Sequence, residues 1–122
     1  METDPVDVSR RERRIGTWLH LSTFFGWVFP LGQLIVPAWI WFASRTGSPF
    51  ADHHGKQVIR FQLIVTLIAY PLMFLMAVAQ GDGGELLALP LFLLAVTELV
   101  LLARAALAAH RGKWYRYPIP TF

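Results

Sequence analysis

Cysteine is absent from the 122-residue sequence. Its absence excludes a disulfide framework, a thiolate nucleophile, iron–sulfur ligation and any zinc site with cysteine ligands. Charge is scarce too: 16% of residues are Asp, Glu, Lys or Arg and 55% are hydrophobic, where an ordinary soluble domain carries about 25% charged residues. The chain is too short for two independent domains, and its apolar residues gather in runs, as membrane spans do. From Ile15 to Ser44 no side chain carries a formal charge.

The net charge is +3 and there are eleven basic residues. They fall into three groups: Arg10, Arg11, Arg13 and Arg14 before the first apolar run; Arg45, Lys56 and Arg60 after it; and Arg104, Arg111, Lys113 and Arg116 at the end of the last run. The connection from Gln80 to Glu85 has none and carries Asp82 and Glu85 instead. Basic residues confined to alternate connections are what the positive-inside rule produces, so the charge pattern describes membrane orientation and not a nucleic-acid surface. It predicts a multi-pass protein of the cell inner (cytoplasmic) membrane with both termini cytoplasmic.

Residues 1–14 read as a polar N-terminal tail that can turn helical near Arg10, and 15–112 as a single membrane domain. As one helix, the uncharged run would be about 45 Å long, against a hydrocarbon core of about 30 Å. Phe29-Pro30-Leu31-Gly32 lies near its middle, where Pro removes a helical hydrogen bond. Both ends of the run are basic, so the chain must enter and return as a re-entrant or strongly tilted hairpin. Ser48 before Pro49 marks a helix start, Pro71 predicts a kink, GDGG at 81–84 a tight turn, and Gly112 a helix stop. The predicted fold is therefore an all-α membrane protein: a short helical hairpin broken near Pro30 plus two longer transmembrane helices. Its helices cover about 15–28, 31–44, 49–80 and 85–110. Residues 113–122 read as an aromatic interfacial tail. Trp18, Trp39, Trp41, Trp114, Tyr115 and Tyr117 are expected as interfacial anchors, since amphipathic rings are stable at headgroup depth.

The string TWLHLSTFFGWVFPLGQLIVPAWIW, then SPFADHHGKQVIRFQL and the RGKWYRYP tail, resembles a small bacterial multi-pass membrane family of unknown function grouped with the Tic-twenty-like proteins of the chloroplast inner-envelope import translocon. The marks are His20-Leu21-Ser22, Pro30 and Pro37 before Trp41, His54-Gly55-Lys56-Gln57, Phe61-Gln62, and Gly112 with Tyr117-Pro118. Arg60 stands where that family usually has Asn. The resemblance implies a channel or protein-translocation-related component.

Glu98 is the acidic group that most needs explaining. It lies about 20 Å along a helix starting near Glu85, where an ionised side chain costs roughly 2.5–3.5 kcal/mol on insertion scales. The expected answer is a buried polar cluster of Arg60, Gln62, Glu98 and Arg104, structural in the first instance and a polar site or proton relay in the second. Adjacent His53 and His54 point about 100° apart on a helix and lack the i, i+4 spacing of a zinc helix, so no metal is expected. His20 reads as a hydrogen-bonded interfacial histidine. With no nucleophile elbow, phosphate loop or paired carboxylates, neither catalysis nor a cofactor is expected. The sequence predicts a structural or accessory subunit whose partners are the lipid bilayer and either a second copy or a larger membrane complex.

Overall fold

The computed structural model describes residues 8–120. These form four helices: α1 (Arg10–Leu21), α2 (Gly32–Ser44), α3 (Pro49–Ala79) and α4 (Ala88–His110). Two short 3-10 segments, Ser22–Trp27 and Gly84–Leu87, complete the secondary structure, and no strand occurs among the described residues.

Helix α1 begins five residues ahead of the expected position because Ser9 and Glu12 form a reciprocal capping box. The Glu12 amide donates to Ser9 Oγ and the Ser9 amide to Glu12 Oε1, each at 3.1 Å. Residues 10–14 are thus helical, the tail turning helical at Arg10 and continuing unbroken into the apolar run. The helix also stops at Leu21 and not near 28. The Ser22 and Thr23 hydroxyls turn back to donate to the carbonyls of Leu19 (3.0 Å) and His20 (2.8 Å), competing with the α-helical ladder, and the chain tightens into the 3-10 segment.

The break at Pro30 is present. Leu31 adopts the left-handed conformation at φ 64°, and Gly32 lies so close to the Phe25 backbone that a Cβ there would come within 2.3 Å of the carbonyl oxygen. Helix α2 then returns antiparallel to the 3-10 segment, about 20 Å long. The turn is held by α3: the Leu31 amide donates to the Tyr70 hydroxyl at 3.1 Å, and Gln33 Nε2 donates to Thr66 Oγ1 at 3.0 Å. Such partners are what irregular backbone needs where water is excluded.

Ser48 caps α3 by accepting from the Ala51 amide at 3.0 Å, with Pro49 in the first turn. The helix runs on through Pro71 for 31 residues. A turn with Gly81 and Gly83 at positive φ leads through the 3-10 segment into α4, which therefore begins three residues later than the expected 85.

The core occupies the basic end of the molecule. Leu19, Val58, Phe61, Val65, Leu102, Ala105 and Tyr117 form one buried cluster, and Val8, Phe50 and Ala109 a second. The other end is inverted: Leu67, Phe74 and Val78 on α3 and Leu89, Phe92 and Leu93 on α4 are exposed. Helix α3 and the stretch Gly84–His110 are each long and apolar enough to cross a membrane. A contiguous apolar surface of this kind calls for a cover, and lipid tails supply one for helices whose backbone groups are satisfied internally.

The expected interfacial tail is corrected in part. Residues 113–120 fold back over the core, and Tyr117 is 3% exposed with its ring stacked on Phe61 at 4.2 Å between centroids and 6° between planes. It is a core residue, because its ring finds an apolar partner and its hydroxyl a buried acceptor.

Candidate functional site

A chain of buried side chains pins the C-terminal segment to the basic end of the bundle. His54 Nε2 lies 2.9 Å from the Lys113 carbonyl oxygen, which only accepts, so this nitrogen carries the proton. In a neutral ring His54 Nδ1 is then an acceptor, and it receives the proton of His20 Nε2 at 2.9 Å. His20 Nδ1 in turn accepts from the Tyr117 hydroxyl at 2.7 Å. One direction of donation therefore runs from Tyr117 through His20 and His54 to the Lys113 carbonyl, and two neutral imidazoles satisfy all of it. Beside it, the Tyr117 amide donates to Gln57 Oε1 at 2.9 Å and His53 Nε2 donates to the Tyr115 carbonyl at 2.6 Å. Helices α1 and α3 and the C-terminal segment each contribute, and His20 and His54 are fully buried. The expectation for His20 as a hydrogen-bonded residue stands, with the site moved from an interface to the protein interior.

A second polar site lies among the 3-10 segment Ser22–Trp27, α2, α3 and α4. Gln62 is fully buried, and its Nε2 donates to Glu98 Oε2 at 2.7 Å. A carboxylate only accepts, which fixes the orientation of the amide and leaves Gln62 Oε1 without a hydrogen-bond partner among the described residues. Both side chains line a cavity of about 400 Å³ whose wall also includes Gln33, Thr66, Tyr70 and Trp27. The lining is mostly apolar with an acceptor-rich floor, suited to hydrogen-bond donors.

Two of the four expected cluster members thus meet and two stand elsewhere. Arg60 is two residues from Gln62, about 200° around α3, and lines a separate cleft with Gln57, Arg116 and Tyr117. Arg104 is exposed, within electrostatic range of Tyr115. Among the expected anchors, Trp18 and Trp39 are exposed on the surface. Trp41 instead packs against the core and donates its indole N–H to Asp52 Oδ1 at 2.8 Å. Trp114 packs edge-on against Phe50, and Tyr115 against the core. Among the described residues no three His, Cys, Asp or Glu side chains converge as a metal site.

Fold and site together define a small all-helical membrane protein, packed at a polar basic end and bare along two apolar helices. The chain belongs to the magnetosome magnetite crystal formation protein family, whose profile matches residues 11–122. This overturns the Tic-twenty-like resemblance and with it the translocation reading. Several residues quoted for that resemblance, His20, His54, Gln57 and Tyr117, build the packed end. No curated protein and no solved structure matches the chain.

Proposed function

We propose that this protein is a non-catalytic, integral component of the magnetosome membrane that supports magnetite crystal formation as a structural or accessory subunit, packing with itself or with a larger membrane assembly. The observation that carries the reading is the family match over residues 11–122, which takes in α2, α3, α4 and all of α1 but its first residue. The chemistry supports it. The buried histidines, Tyr117 and Gln57 are engaged in holding segments together, while the long apolar faces of α3 and α4 remain for lipid or a partner.

In this reading α3 and α4 cross the bilayer, and the α1–α2 hairpin enters it without crossing fully. Both termini and all three basic groups face the cytoplasm from the magnetosome membrane. The test is deletion of the coding sequence in a magnetite-forming cell that carries it, with complementation and fractionation. Crystals altered in size or number and restored by the wild-type chain, with the protein recovered in the magnetosome membrane fraction, support the reading. Unchanged crystals, or recovery from the cytoplasmic membrane alone, contradict it.

A further inference from the structure

The basic residues of α1 have no role in the packed end. Arg10, Arg13, Arg14, Thr17 and Trp18 fall at i, i+3, i+4, i+7 and i+8, one stripe along the helix. Gly16, Leu19 and His20, on the adjoining face, are buried. The five residues line a cleft of about 330 Å³ closed on its far side by His110 at the end of α4. No acidic side chain lines it, and none of the three arginines forms an ion pair among the described residues. Farther along the same cleft Trp18 is 55% exposed, a ring with an apolar body and one N–H donor, suited to the glycerol level of a bilayer.

We infer that this cleft between α1 and the end of α4 binds the phosphate headgroup of an anionic phospholipid. The guanidinium forks match phosphate oxygens in charge and geometry. The Thr17 hydroxyl is engaged with the Arg13 carbonyl at 2.8 Å and shapes the wall, His110 closes the far side, and Trp18 covers the start of the acyl chains. A basic pocket between helices at the membrane surface is a recurrent form of headgroup site. The inference stands on the cleft and not on the role in crystal formation, and it concerns the purified protein alone.

The full chain in phosphatidylcholine nanodiscs is titrated with short-chain phosphatidylglycerol, short-chain phosphatidylcholine and inorganic phosphate, and binding is read from the thermal midpoint. Phosphatidylglycerol raises the midpoint and the other two do not. Replacing Arg10, Arg13 and Arg14 together by Gln weakens this response about a hundredfold, since each basic residue at a membrane surface contributes roughly fivefold. Arg10 and Arg14 are exposed and Arg13 half-buried, and the melting curve in phosphatidylcholine alone checks the fold of the variant. The charge-matched variant Arg111→Gln, Lys113→Gln, Arg116→Gln keeps the response. Retained binding in the first variant, equal loss in the second, or an equal response to inorganic phosphate overturns the inference. So does a response that appears only after Glu2→Gln, Asp4→Asn and Asp7→Asn, since the chain's own acidic residues would then be the occupant.

Discussion

His20 and His54 illustrate how much depends on which nitrogen carries a proton. Because the Lys113 carbonyl can only accept, each later donor in the chain is decided, ending with the Tyr117 hydroxyl. Tyr117→Phe keeps the ring stacked on Phe61 but leaves a buried nitrogen of His20 without its donor. It is expected to lower stability by about 1–3 kcal/mol, read as a reduced midpoint in detergent melts. The sequence could not show this arrangement, since His20 pairs with partners 34 and 97 positions away, beyond any local spacing rule. Glu12 contributes to the acid response. The Ser48 hydroxyl donates to the Glu12 carboxylate, joined by the Ser9 amide, and holds its pKa below the ordinary 4.5. A depressed carboxyl stabilises the fold above its ordinary pKa, and the contribution is lost as pH falls through the lowered value. The difference in melting midpoint between the wild type and Glu12→Gln therefore narrows on acidification below pH 4.5.

At the scale of the helices, the parts legible in the sequence are those set by local chemistry. The hairpin break at Pro30, the Ser48 cap and the glycine turn after α3 all follow from residues within a few positions of the feature. The early start of α1 was equally readable in Ser9-Arg10-Arg11-Glu12, but the charge pattern drew the boundary at the first apolar residue instead. Glu98 stands out by its depth in an apolar helix and Gln62 is among its expected partners, but Arg60 and Arg104 join the expected cluster because an arginine satisfies charge, while helix phase decides contact. Positions 60 and 62 face different sides of α3, and the amide is the one that meets α4. A consequence follows for substitution. Gln62→Leu leaves the Glu98 carboxylate without its donor, whereas Glu98→Gln keeps an acceptor for Gln62. The first is expected to cost about 1–3 kcal/mol and the second less, measured as midpoints in the same detergent. Equal losses would show that the charge, and not the hydrogen bond, matters at this pair.

The whole molecule has two unlike ends. At one, the C-terminal segment, α1 and the first turns of α3 enclose a satisfied polar interior ringed by basic residues; at the other, α3 and α4 stand with apolar side chains outward. Composition announced a membrane protein, and the placement of the charges announced the two ends, but packing by the tail depends on long-range contacts that no window of sequence contains. The topology proposed from this division is the central claim: the histidine chain and the arginine cleft on one side of the bilayer, the turn between α3 and α4 on the other. The native chain has no cysteine, so single reporters can be added without background, at exposed Gly47 between α2 and α3 and exposed Asp82 in the turn. In sealed vesicles of known orientation, a membrane-impermeant thiol reagent is expected to label Gly47→Cys only from the cytoplasmic side and Asp82→Cys only from the opposite side. Labelling of both positions from the same side would contradict the account.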